Sequence, residues 1–158
     1  MIEVLVENLP YTYEEFTAMS QGDLSLPQNT VVMFLLALNV FTKNANLGKA
    51  MINSLKWKQP LSQYEEMFIF EKLKNRAYLP MAYFSGACPE NGYTPQKPYL
   101  LKVIDCFKGG GKGNLKKLFL ETAGAVEKRE ITLKKDGNLW KIWEYAAILM
   151  NIKPPQNI

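Results

Sequence analysis

Eleven consecutive residues, VVMFLLALNVF at positions 31–41, are apolar on every side except at Asn39. A helix built from them has no polar face to turn to water, so the rest of the chain must enclose it. The run is too short to span a bilayer. It therefore reads as a buried core helix, the first part of a helical region over residues 30–55 opened by Asn29. Gly48 marks an expected break into a second helix with Leu47, Met51, Ile52 and Leu55 on one face.

Helical patterns fill the first half of the chain and strand patterns the second. Thr12 and Glu15 form a capping box for a short helix over residues 12–20, and Ser62 and Glu65 form another for residues 62–75. Tyr64, Met67, Phe68, Phe70 and Leu73 supply the apolar positions of the latter. Residues 1–11 read as a short strand or arm. Strand candidates follow at 99–106, 116–122, 128–134 and 139–145, the last two joined at Asp136-Gly137. The expected fold is a single α+β domain over residues 1–158, with N-terminal helices packed on a C-terminal, mostly antiparallel four-stranded sheet. For the last hairpin, looping at Asp136 and Gly137 sets Leu133 against Trp140 and Arg129 against Glu144. The alternative register sets Lys134 against Lys141, two like charges, and is disfavoured.

The chain contains no histidine. This removes the usual neutral-pH base and the commonest metal ligand, and with them Ser-His-Asp and Cys-His catalysis. Two cysteines, Cys88 and Cys106, are too few for a disulfide framework and read as reduced thiols of a cytoplasmic protein. The opening MIEVLVENLP lacks a basic segment and carries Glu3 and Glu7, unlike a secretory leader. KGGGKGN at 108–114 has the wrong spacing for a phosphate loop and reads as a flexible hairpin loop. No metal or cofactor pattern emerges, and the carboxylates form no evident catalytic pair.

Charge is unevenly spread. Residues 1–42 hold five acids and no Lys or Arg, whereas residues 97–141 hold eleven Lys or Arg and five acids. These regions can face each other within the fold, across a dimer, or toward an acidic partner. Nucleic-acid binding through the basic 97–141 segment is a minor reading, because no nucleic-acid signature accompanies it.

The strings PLSQYEEMFIFEKL, YLPMAYFSGACPENGYTPQKPY and REITLKKDGNLWKIWEYAAILMNIKPP resemble a bacterial domain family of unknown function. Its pattern runs SYF-x-GATPEN-x-YTP, GADSPR, W-x-x-WEY and GI-x-x-P. The likeness covers residues 10–155 and is most specific at 85–95 and 140–145. GAVEKR stands where GADSPR is expected, Ala82 where Ser is expected, and Cys88 where Thr is expected. The resemblance implies an uncharacterised bacterial intracellular domain and carries no activity with it.

Among the matching positions, Glu90, Asn91, Tyr93 and Thr94 in the long loop and Arg129, Glu144 and Tyr145 at the hairpin are the candidate binding residues. The loop over residues 78–98 is expected to be ordered, with Tyr83, Phe84 and Tyr93 packed inward and residues 90–93 at a site rim near Arg129 and Glu144. The leading function is a non-catalytic intracellular binding or protein-interaction domain, with a protein partner or a second copy of the chain. The alternative is a histidine-independent enzyme or small-ligand binder with a pocket near Arg129 and Glu144, and Cys88 as a further reactive candidate.

Overall fold

A computed structural model describes residues 1–105 and 113–156. In chain order the elements are β1 (Ile2–Val6), α1 (Tyr13–Thr17), α2 (Pro27–Phe41), α3 (Ala45–Leu55), α4 (Gln63–Leu73), β2 (Tyr99–Val103), β3 (Leu115–Leu120), β4 (Arg129–Asp136) and β5 (Leu139–Glu144). Cys106 and most of the glycine-rich 108–114 segment lie outside the described residues.

The apolar run becomes α2, and every residue from Asn29 to Phe41 is buried. Pro27 in the first turn, not Asn29, opens the helix, where its missing N–H loses nothing. The buried polar groups are satisfied: Asn29 donates to the Asp23 carbonyl at 3.0 Å and Thr30 to the Trp140 carbonyl at 2.7 Å. Both capping boxes form as expected, Thr12 with Glu15 and Ser62 with Glu65.

The helical break falls at residues 42–44, not at Gly48. Asn44 caps α3 by accepting from the Leu47 N–H at 3.1 Å. Gly48 sits inside α3, and a Cβ there would run into the backbone of Phe41. Glycine is required because α2 and α3 touch at this point.

The class is α+β, but the strands form two antiparallel sheets, β1-β2 and β3-β4-β5, in place of the expected four-stranded one. The N-terminal arm supplies the extra strand. β1 pairs with β2 so that Glu3 lies opposite Lys102, joining the acidic start of the chain to the basic segment. A pair of 2.9 Å hydrogen bonds between Ile104 and Phe119 links the two sheets.

The β4–β5 register is the one disfavoured above. Gly137 and Asn138 make the loop, Gly137 has φ +64°, and Lys134 lies opposite Lys141. Each ammonium finds its own acceptor. Lys134 Nζ sits 4.1 Å from the Trp57 ring centroid and 4.2 Å from that of Trp143, while Lys141 Nζ donates to the Ser54 carbonyl at 2.8 Å. That carbonyl belongs to the last turn of α3, the negative end of the helix dipole. Beyond Leu133↔Ile142 the pairing jumps to Thr132↔Glu144, so Trp143 is the extra residue of a β-bulge. Arg129 and Glu144 are therefore not cross-strand partners.

Gly48→Ala tests the α2–α3 contact. In a helix interior this change ordinarily stabilises by about 1 kcal/mol. Here overpacking of about 1–3 kcal/mol opposes it, so the expected net effect is a lower urea midpoint. An unchanged or raised midpoint would show that the helices separate freely.

Candidate functional site

The long loop is ordered and turns inward. Two 3₁₀ turns, Pro80–Tyr83 and Pro89–Asn91, punctuate it, and Tyr83, Phe84 and Tyr93 are all buried. The first of these turns is followed by a single antiparallel bridge from Phe84 to Leu101. Asn91 stitches the loop: its Oδ1 accepts from the N–H groups of Cys88 and Thr94, and its Nδ2 donates to the Gly86 carbonyl at 2.8 Å. Glu90 and Thr94 are exposed.

Tyr93 turns its ring onto Tyr78, with centroids 5.4 Å apart, and donates to the Lys153 carbonyl. Burial, followed by the neighbouring Tyr78, Glu90 and Cys88, raises its phenol pKa. Gly124 leaves room for this arrangement, because a Cβ there would strike the Tyr93 hydroxyl and Ile152. Gln156 donates its N–H to the Pro89 carbonyl at 2.8 Å. The loop thus packs on the C-terminal segment of the described chain.

Arg129 acts on that same segment. Its guanidinium donates to the carbonyls of Ala147 at 3.2 Å, Met150 at 3.1 Å and Asn151 at 2.8 Å. Tyr83 donates to the Ile148 carbonyl at 2.6 Å. Burial raises the Tyr83 pKa strongly, and the positive charge of Arg129 offsets part of that rise. Together the two side chains clamp the 3₁₀ turn Ala146–Leu149 and the residues after it.

Glu144 and Tyr145 belong to a different feature. They line a cleft of about 360 Å³ between α4 and the end of β5, with Tyr64, Glu65, Phe68, Trp143 and Ala146. At its base the buried Tyr145 hydroxyl donates to Glu65 Oε2 at 2.7 Å. Lys56 Nζ contacts both Glu65 carboxylate oxygens, at 3.0 and 2.9 Å, and the Ser62 N–H donates to Oε1 at 3.1 Å. Partial burial pushes the Glu65 carboxyl up, but the hydrogen bonds from Lys56, Ser62 and Tyr145 and the charge of Lys56 outweigh it. The carboxyl is held below its ordinary value of 4.5. Burial, then the hydrogen bond to Glu65 and the charges of Glu65 and Glu144, raise the Tyr145 pKa and keep it protonated at neutral pH.

The structure therefore separates the candidates. Asn91, Tyr93 and Arg129 hold the loop and the C-terminal segment, while Glu144 and Tyr145 meet in the cleft. Sequence reasoning missed Tyr64, Glu65, Phe68 and Trp143 as cleft residues. One signal was available: the five apolar positions assigned to α4 do not share one face. Only Ile69 and Leu73 of α4 are buried, whereas Tyr64 is 81%, Met67 55% and Phe70 45% exposed.

Among the described residues no group of three or more Cys, Asp or Glu gathers as a metal site, and no helix is long and apolar enough to cross a membrane. The fold and the cleft define a small α+β domain whose helical layer and sheets are tied together by a clamped C-terminal segment. The chain belongs to the family described as a domain of unknown function, DUF6935, whose model matches residues 8–156. No curated protein and no solved structure matches it.

Arg129→Ala should destabilise the fold by about 2–3 kcal/mol, the scale of charged hydrogen bonds lost from carbonyls left without a partner. Hydrogen exchange should accelerate first at the amides of Ile148 and Met150, which bond within the clamped turn. Uniform acceleration across the sheets would contradict a local clamp.

The Glu65 site predicts a pH effect. A carboxyl whose folded pKa is depressed adds stability above 4.5, and that stability is lost as pH falls through the folded value. Glu65→Gln should be less stable than the parent at about pH 7, and the difference should shrink by about pH 3. A constant difference across that range would remove ionised Glu65 from the account.

Proposed function

We propose that this chain is a single-domain, non-catalytic protein-interaction domain of the cytoplasm, binding its partner across α4 and the adjoining cleft. The observation that carries this reading is the outward ridge of α4. Tyr64, Met67 and Phe70 recur three residues apart and leave large apolar side chains in water beside an open cleft. Large exposed apolar clusters with polar rims commonly mark interaction sites.

The chemistry of the other candidates supports the same reading. Arg129, Asn91 and Tyr93 spend their polar groups on the chain's own backbone. Tyr145 is a protonated donor to Glu65, not an activated nucleophile. The free thiol at Cys88 fits a reducing compartment. Nucleic-acid binding draws less support. Lys116 is ion-paired with Asp105, Lys117 with Glu130, Lys134 is engaged by two indole rings and Lys141 by a carbonyl.

The test is photo-crosslinking in cells, with a benzophenone amino acid at position 64 and, as control, at the fully exposed Val126. The expected result is one discrete adduct at position 64 that disappears when Phe70 is replaced by Glu. An adduct at twice the chain's own mass would identify the partner as a second copy. No adduct at position 64, or the same products from position 126, would overturn the proposal.

A further inference from the structure

The α4–β5 cleft joins two kinds of surface that favour the same ligand charge. Its walls are the aromatic residues Tyr64, Phe68, Trp143 and Tyr145, and it carries the carboxylates of Glu65 and Glu144. An aromatic face has a negative quadrupole and attracts a cation. A carboxylate does so directly. Lys72 Nζ lies 5.7 Å from the Phe68 ring centroid and Lys134 lies over Trp143, so the uncommitted attraction in the cleft comes from Glu144, and a neutral apolar group would take water from it without replacing it.

The two carboxylates are not equivalent. Glu65 is committed to Lys56 and Tyr145. Glu144 is exposed and has no ion pair or hydrogen-bond partner among the described residues. Its charge therefore remains available to a ligand in the cleft. Trp143 is already shown to hold an ammonium group, since Lys134 Nζ lies 4.2 Å from its ring centroid. Trp57 stands edge-on to Trp143 at 5.2 Å and completes that intramolecular site.

We infer that the cleft receives a lysine or arginine side chain from a basic segment of a partner protein. Its aliphatic stem lies along Tyr64, Phe68 and Trp143, and its charge is placed at Glu144. This rests on the interaction-domain reading above and names the partner's chemistry. The volume of about 360 Å³ is at the small end of ligand pockets and suits one side chain with its backbone passing across the mouth.

The probes are capped pentapeptides of Gly and Ser with Lys, Arg, norleucine or Glu at the centre. The full chain, labelled with ¹⁵N, is titrated and the Trp143 indole N–H resonance is followed, assigned by its loss in Trp143→Phe. The Lys and Arg peptides should shift this resonance saturably, with the norleucine and Glu peptides about tenfold weaker or more. Glu144→Gln should weaken the Lys peptide about fivefold and leave the norleucine peptide unchanged, as expected for loss of one exposed charge. Because Glu144 is exposed and unpaired among the described residues, this variant should keep the parental urea midpoint.

If norleucine binds as tightly as lysine, the cation assignment fails while the interaction surface stands. If no peptide moves the Trp143 resonance up to about 10 mM, beyond weak millimolar binding, the cleft assignment fails. The crosslinking result at position 64 then judges the interaction-domain reading separately.

Discussion

A helix that is apolar on all sides must be surrounded, and this requirement organises the rest of the molecule. α2 is packed by α3, by β1 and β2, by β5, and by the 3₁₀ turns Ser20–Gly22 and Pro80–Tyr83. No one layer can cover a whole helix surface, so the two sheets, a second helix and part of the long loop all contribute. The N-terminal arm becomes β1 for this reason, with Val4 and Val6 buried in the core. Gly48 follows from the same constraint, because enclosing α2 brings α3 within backbone contact.

The enclosure ends with a segment that has little regular structure of its own. Residues after β5 bury Tyr145, Ile148, Leu149 and Ile152, and their carbonyls are held by Arg129 and Tyr83 on one stretch and by Tyr93 on the next. A buried or half-buried carbonyl without a donor is costly, and a guanidinium can serve three at once. The long loop, which lacks strands and long helices, is tied to this segment by the same bonds. Its aromatic hydroxyls cross-link distant parts of the chain, and Asn91 ties the loop to itself.

Much of the architecture was legible in local patterns. The two capping boxes, the buried helix, the ordered aromatic loop and the four later strands depend on short-range spacing, and they form within a few residues of expectation. The hairpin register did not follow local rules. Opposing lysines are unfavourable taken alone, but Trp57 and the end of α3 come from far away in sequence and supply acceptors. The bulge at Trp143 likewise cannot be deduced from alternation, since it breaks the alternation. Half of the candidate site was hidden for a related reason. Glu65 already had a local explanation as a capping residue, and the second role of its carboxylate appears only when Tyr145 and Lys56 are brought to it.

That shared carboxylate links the cleft to the fold. α4 buries only Ile69 and Leu73, a narrow apolar contact for a helix of 11 residues. Its position is also fixed by Glu65, which caps the helix, accepts from Tyr145 and pairs with Lys56. Polar ties of this kind contribute less net stability than apolar burial, but they fix one geometry. On the other wall, the bulge re-aims Trp143 and Trp57 braces it. Both walls are therefore held by contacts within the chain itself. A preorganised cleft loses less side-chain entropy on binding than a flexible one. The exposed aromatics of α4 then have a physical reason to remain in water: turning them inward would require breaking the Glu65 network that positions the helix.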